Sequence, residues 1–154
     1  MAEQLSPRLR QMSLDDLDPV MAIEESVYPF PWTRAIFYDC LQAGYYGVLL
    51  VDLHEAILAY SLLSYGAGEA HLLNLCVRPD RQRQGLGRQL LEHMVDVANR
   101  LGADTLLLEV RVSNRAATQL YSNMGFNEVG LRENYYPAAD NRREDAIVLA
   151  KALL

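Results

Sequence analysis

A glutamate stands inside an apolar run: Thr105 to Asn114 reads TLLLEVRVSN, and Glu109 follows three leucines and precedes a valine. Such a run reads as a strand buried on both faces, where an unpaired carboxylate is costly. Apolar surroundings disfavour the charged form, so a glutamate there is expected to accept a proton near neutral pH more readily than an exposed one, directly or through a water. The competing reading is an ion pair, with Arg111 on the same strand face or with Arg132 on a neighbouring strand. Further along, Asn114 and Tyr121 are seven residues apart, two helical turns, so a helix carries both on one face. That phenol is either a core tyrosine with its hydroxyl satisfied or a proton donor pointing where Asn114 points. A third constellation is RQRQGLGR, residues 81–88, between a strand and a helix. There Gly85 and Gly87 clear the approach, and backbone N–H groups at the positive end of the helix dipole suit an anion. The turn lacks the GKS or GKT of a phosphate loop, and GxG alone falls short of a dinucleotide fingerprint. A phosphate-bearing ligand and a plain glycine-containing helix start both stand open on composition.

The chain that must hold these residues has 154 of them, 51% hydrophobic, enough for one sizeable core. One domain spanning 1–154 is expected. A net charge of −6 and a pI near 5.0 lack the basic footprint of a nucleic-acid binder, so no direct nucleic-acid contact is expected, and an acidic surface suits a basic partner better. The opening MAEQLSPRLRQMSLDD has no apolar segment of the signal-peptide kind, and no window approaches the ~18 uncharged apolar residues of a membrane span. A cytoplasmic protein without membrane contact is expected. Cys40 and Cys76 have no CxxC or His-rich spacing around them, which points to reduced core thiols and to no metal.

The elements follow from local signals. Arg8 to Met12 reads as a short strand; Asp18 as cap and Pro19 at the first helical position open a helix to about Val27. YPFPW breaks it, and Thr33 caps a second short helix through Leu41, with Ile36, Phe37 and Leu41 on its apolar side. Tyr46 to Asp52, Ala56 to Ser64 and Ala70 to Val77 read as an antiparallel meander. Leu86, Leu90, Met94, Val97 and Leu101 mark a long amphipathic helix stopped by Gly102. Thr105 to Val112 is the next strand, and Ser113 or Asn114 caps a helix carrying Ala117, Leu120, Tyr121 and Met124 on its core face, ended by Gly125. Asn127 to Glu133 and Asp145 to Ala152 close the chain as strands around a turn-rich segment. The order implies an α/β fold with a mixed, mostly antiparallel sheet, one right-handed parallel crossover and about four flanking helices.

The pattern Gln82-x-x-Gly85-x-Gly87 after a strand ending LCVRP, followed by LEVRVSNRAATQLYSNMGF, resembles the Gcn5-related N-acetyltransferase (GNAT) family along the whole chain. NLCVRPDRQRQGLGRQLLEH, with FPW near the start and RENYYPAADNRREDAIVLA near the end, resembles that family's bacterial RimI group more narrowly. The resemblance implies the GNAT fold and an acetyl-coenzyme A co-substrate held at Leu75, Cys76, Val77, Arg83, Gln84, Gly85, Leu86, Gly87, Arg88 and Asn114. It implies Glu109 as catalytic base and Tyr121 as the acid that protonates the leaving sulfur, and no metal. For the RimI group the acceptor is the N-terminal alanine of a small-subunit ribosomal protein, the eighteenth. Cys76 stands where that group often has alanine, leaving an acetyl-cysteine side reaction open beside the plainer reading of a buried small hydrophobe.

YPFPW and NYYP read as aromatic turn segments in which Trp32, Tyr135 and Tyr136 line a slot for a peptide N-terminus, with Glu24, Glu25, Glu144 and Asp145 attracting basic residues downstream. Trp32 reads equally well as a core anchor. Glu69 and His71 are alternative bases, although His71 also reads as a satisfied sheet histidine, and His54 and His93 as surface residues. Three functions remain open: a protein N-terminal acetyltransferase, a GNAT enzyme for a small amine or protein lysine, and a non-catalytic acyl-coenzyme A binding module. A pure binder needs neither Glu109 nor Tyr121. Oligomeric state is not fixed by the sequence, a monomer being the simplest assembly.

Overall fold

The computed structural model describes residues 7–153. In chain order they form β1 (Arg8–Gln11), α1 (Leu17–Val27), α2 (Arg34–Gln42), β2 (Tyr46–Val51), β3 (Ile57–Gly66), β4 (Glu69–Val77), α3 (Leu86–Arg100), β5 (Thr105–Arg111), α4 (Arg115–Asn123), β6 (Asn127–Pro137) and β7 (Arg143–Ala152). The seven strands make one sheet in the order β1-β2-β3-β4-β5-β7-β6. β4 and β5 run parallel, while β1 with β2, β2 with β3, β5 with β7 and β6 with β7 run antiparallel. This is the mixed α/β architecture expected, with its single parallel crossover through α3. No helix among the described residues is long and apolar enough to cross a membrane.

The chain divides into two compact units: one runs to Ser64 and includes Asn74–Met94; the other comprises Tyr65–Leu73 and everything from Val95. In the first unit β2 is buried from Gly47 to Val51 and β3 from Ile57 to Leu63, the continuous apolar runs of strands covered on both faces. Leu17, Val20 and Ile23 of α1 and Phe37 of α2 are buried with them. α1 starts one residue before Asp18, at Leu17, and the cap is Asp16. Its carboxylate bonds no N–H of the helix; it accepts from the Ser13 backbone N–H at 2.8 Å and from Arg10 at 2.9 Å, while Asp18 pairs with Arg34. Thr33 caps α2 as expected, accepting from the Ile36 N–H at 3.3 Å, but Ile36 itself is exposed and Phe37 alone is fully covered. Along α3 the buried stripe is Leu86, Leu90, Leu91, Met94 and Ala98, with Leu101 exposed. His93, expected at the surface, is half-buried and meets the Tyr46 hydroxyl at 2.8 Å.

In the second unit β5 alternates strictly, with Leu106, Leu108 and Val110 buried and Thr105, Leu107, Glu109 and Arg111 half-open. The expectation of burial on both faces is therefore corrected. Lys151, opposite Leu106 on β7, reaches the Met124 carbonyl past the end of α4 at 3.0 Å, so α4 lies over the leucine face and leaves the Glu109 face free of it. NYYP is not a turn: Asn134–Pro137 belong to β6. Between the pairs Arg132↔Ala146 and Tyr136↔Glu144 the register slips, and Asn134 takes φ 52°. Arg143 donates to the Asn134 and Tyr135 carbonyls at 3.0 and 2.8 Å, while Asp145 accepts the Asn134 N–H at 2.9 Å. A bulge braced in this way re-aims its aromatic side chains without ending the strand.

Candidate active site

The first unit carries the glycine turn. β4 ends at Val77, a 3-10 turn covers Pro79–Arg81, and α3 begins at Leu86. Arg78 fixes the entry: its backbone N–H reaches the Leu58 carbonyl at 2.8 Å and its guanidinium holds Asp80 at 2.6 Å. Gln82 donates to the Val77 carbonyl at 3.2 Å. Beyond it Arg83 has φ 64° and Gly85 φ 80°, and nothing lies within 4 Å of where a Gly85 Cβ would stand. The first helical bond here is Gln89 N–H to Gly85 carbonyl, 3.0 Å, which leaves the preceding N–H groups of the turn outside the helical ladder. Arg83, Gln84 and Arg88 are exposed, Leu86 is buried, and Gly87 is half-buried. An exposed, open glycine turn at a helix N-terminus with two arginines fits the phosphates of a coenzyme.

On the strand before it, the Tyr28 hydroxyl donates to the Leu75 carbonyl at 3.2 Å. Val77 is half-buried and Cys76 is 2% exposed. Burial pushes the Cys76 thiol up to about 11, so the thiolate is scarce at neutral pH and the acetyl-cysteine side reaction loses its nucleophile. Burial first, then Cys76 and Glu24, drive the Tyr60 phenol up as well. Glu24, expected to attract basic residues from the surface, is instead buried at 2% exposure. Its Oε1 accepts from the Tyr60 hydroxyl at 2.7 Å and the Asn74 amide at 3.1 Å, and its Oε2 from the Trp32 backbone N–H at 2.9 Å. The Trp32 ring packs 5.1 Å from that of Phe37, so Trp32 anchors the segment joining α1 to α2.

The second unit carries the residues expected to move protons. Glu109, with an 11% exposed side chain, is not in an apolar hole. Its Oε1 lies 2.7 Å from His71 Nε2 and its Oε2 2.9 Å from Arg132 Nε. Of the two arginines considered, Arg132 forms the pair; Arg111 turns to Glu144 at 2.9 Å and to the Pro137 carbonyl at 2.7 Å. Arg132 also stands over the Tyr135 ring at 5.2 Å, and Arg111 over the Tyr136 ring at 4.5 Å. The two tyrosine rings meet edge to face at 4.9 Å. Burial, then the Glu109 charge, raise the Tyr135 phenol, and the same two causes push Tyr136 up to about 12. Glu144 and Asp145, expected to face a basic peptide, are engaged internally, Glu144 with Arg111 and the Ser113 N–H and Asp145 with the bulge.

Asn114 caps α4 by accepting the Ala117 N–H at 3.2 Å. Tyr121 is 7% exposed, and burial followed by the neighbouring Tyr136 raises its phenol. Its hydroxyl has no hydrogen bond among the described residues, and its ring is core. Within this unit Glu109, Tyr135 and Tyr136 are brought together, and Tyr121 adjoins Tyr136. A hollow of ≈ 320 Å³ lined by Val112, Arg115, Thr118, Gln119, Ser122 and Ile147 contains none of the expected site residues. Among the described residues no group of three or more His, Cys, Asp or Glu is placed to hold a metal ion.

The model of the acetyltransferase (GNAT) family matches residues 17–126. The chain belongs to the GNAT family. It is an N-acetyltransferase of RimI type: it is 42% identical over 142 residues, 92% of this chain and 95% of the other, to the [ribosomal protein bS18]-alanine N-acetyltransferase of Escherichia coli (strain K12). The crystal structure of the ribosomal-protein-S18-alanine N-acetyltransferase from Escherichia coli is 40% identical and superposes with a TM-score of 0.89, covering 96% of this chain and 94% of that one. A GNAT superfamily phosphinothricin acetyltransferase from Sinorhizobium meliloti, in complex with AcCoA, shares the fold at 20% identity and TM-score 0.79, covering 96% and 88%.

The contact that sequence reasoning passed over in this GNAT chain is His71 with Glu109. His71 is opposite Leu107 in the parallel pair, one step of the period-2 alternation from Glu109, so the register of β4 on β5 was the signal. Glu69, the other alternative base, is exposed and opposite Thr105.

Proposed function

We propose that residues 1–154 act as one acetyl-coenzyme A-dependent N-α-acetyltransferase domain whose acceptor is the N-terminal alanine of the eighteenth small-subunit ribosomal protein. The 42% identity over nearly the whole length to a protein bearing that activity in its name carries the reading. The coenzyme would be held by the backbone at Leu75, Cys76 and Val77, by the turn Arg83, Gln84, Gly85, Leu86, Gly87 and Arg88, and by Asn114. When bound, it supplies an activated acyl carbonyl and a thiol leaving group.

Two proton transfers fall to this chain. An α-amine with pKa near ~7.7–8.0 must shed a proton to attack. Glu109 takes it at a carboxylate oriented from both sides by His71 and Arg132, directly or through a water. Tyr121 serves the departing sulfur. A phenol raised by burial holds its proton more tightly than an ordinary thiol of pKa near ~8.5, so Oη acts by hydrogen-bond donation to developing negative charge rather than by early release. Tyr135 and Tyr136, aimed by the bulge in β6, give the acceptor peptide aromatic walls beside Glu109, and Trp32 contributes through the segment it anchors. An enzyme of this kind works in the cytoplasm.

Mass spectrometry of a synthetic peptide beginning Ala-Arg-Tyr, with purified protein and acetyl-coenzyme A, tests the reading beside an α-blocked copy carrying a free lysine. One acetyl gained on the free α-amine alone is the expected result. Transfer to lysine would replace the acceptor class, and transfer to neither would refute the peptide reading.

A further inference from the structure

We propose that His71 is a positioning residue for Glu109 and that its charge sets the acid side of this enzyme's pH–rate profile, an inference that rests on Glu109 being the base. The geometry is a carboxylate held at both oxygens: Oε1 by His71 Nε2 at 2.7 Å, Oε2 by Arg132 Nε at 2.9 Å. An ionised carboxylate only accepts, so the imidazole is assigned Nε2–H toward Oε1. Two donors in fixed directions stop the carboxylate rotating, and the Tyr135 phenol lies against the same group.

The two donors differ in one respect. Arg132 keeps its charge at any working pH, whereas an imidazole ordinarily gains or loses one between about pH 5 and 8. His71 has a 35% exposed side chain, so solvent can charge it in place. With a neutral imidazole, Glu109 has one cationic neighbour; with an imidazolium it has two, and the second makes the carboxylate a poorer proton acceptor.

The other groups on this face do not supply such a switch. On β4, Glu69 is two residues from His71 and exposed. On β5, Arg111 is paired with Glu144 of β7. β6 brings Arg132 and the phenols of Tyr135 and Tyr136, which are raised away from neutrality. β7 offers Val148 opposite Glu109, with Ala146 and Ala150 on either side, none of which titrates. A purely structural ion pair is the alternative, and it would leave the pH profile of a His71→Gln variant unchanged.

The test is kcat and KM against pH for the full chain, with an alanine-starting peptide and acetyl-coenzyme A, in wild type, His71→Gln, His71→Ala and Glu109→Gln, each checked for folding by thermal melting. The substrate amine titrates identically in all four, so differences belong to the protein. His71→Ala removes the donor and is expected to lower kcat about tenfold or more, below the roughly 10²–10⁴-fold of a direct proton-transfer group, with KM little changed. His71→Gln restores an N–H without a titratable charge. It is expected to recover part of that kcat and to retain a larger fraction of its plateau rate at pH 6 than wild type does. Identical pH profiles for wild type and His71→Gln would overturn the proposal, as would an effect confined to KM. If Glu109→Gln is inactive while those profiles coincide, the base assignment stands and only the role of His71 falls. If Glu109→Gln keeps wild-type kcat, the base assignment itself fails and this inference goes with it.

Discussion

Replacing Tyr121 by phenylalanine removes one oxygen from a side chain whose ring is core and whose hydroxyl bonds to nothing among the described residues. The ring packs edge to face on Phe126 at 5.7 Å, and phenylalanine keeps that contact. With no hydrogen bond lost and no buried partner orphaned, the stability change should stay within about 0.5 kcal/mol, a shift in Tm of no more than ~2 °C for a chain of this size. Catalysis should respond quite differently. A donor aimed at developing charge is worth about 10²–10³ in kcat, roughly 2.7–4 kcal/mol of barrier. Thiol release can be followed continuously with a disulfide dye while KM for peptide and coenzyme are determined separately. Because the donation is made only to the leaving sulfur, kcat and kcat/KM should fall together. A variant that melts as wild type and turns over within threefold of it would remove Tyr121 from the reaction. A variant that loses several kcal/mol of stability would show the hydroxyl to be a core group after all.

Glu109→Gln should lower kcat by about 10²–10⁴; its amide must present an NH2 to either His71 or Arg132, both donors, so a small fall in Tm is expected beside the kinetic loss, and unchanged kcat would refute the base. Gly85→Ala places a side chain at φ 80° where space is open, so the cost is backbone strain of about 1–2 kcal/mol; the expected readout is a several-fold rise in KM for acetyl-coenzyme A, and an unchanged value would detach the turn from coenzyme binding. At Asp16, burial alone would raise the carboxyl, but Arg10 and the Ser13 N–H outweigh it and hold the group below its ordinary 3.8. A lowered pKa stabilises the fold fully above that value and loses the contribution as pH falls through the folded-state pKa. Asp16→Asn should therefore melt below wild type at pH 7, with the gap closing only under about pH 4; a gap independent of pH would show that charge is not the cause.

What was legible in the sequence was local. Thr33 caps α2 because a threonine hydroxyl before a helical run meets the N–H three residues on, and the leucine spacing of α3 needs no partner to be read. Even there the sequence was too generous, assigning Leu101 to a face that ends at Ala98, since periodicity marks a stripe and not where its cover stops. NYYP misled because asparagine and proline favour turns in isolation. In the chain, hydrogen bonds from Arg143 and to Asp145 hold the segment in β6, and Asn134 spends its tolerance of positive φ on a bulge. The neighbours of Glu109 were legible only as candidates, because choosing Arg132 over Arg111 depends on which strand lies beyond β7. That order is a property of the sheet and of no local window.

Glu24 and Glu109 together show why burial alone does not assign a role. Glu24 is the deeper and meets only neutral donors: a phenol of β3, an amide of β4 and a backbone N–H of the segment joining α1 to α2. Removing its hydrogen bonds would loosen the joint between α1, β3 and β4. Glu109 is shallower, on a strand face left free by α4, and its partners are a permanent cation and an imidazole open to solvent. The carboxylate we propose as the base is the one whose hydrogen bonds orient it without enclosing it. Apolar enclosure, the feature that first drew attention to Glu109, turns out to belong to Leu106, Leu108 and Val110. What distinguishes Glu109 chemically is its opposite face, where a half-buried histidine and an arginine meet on one carboxyl group.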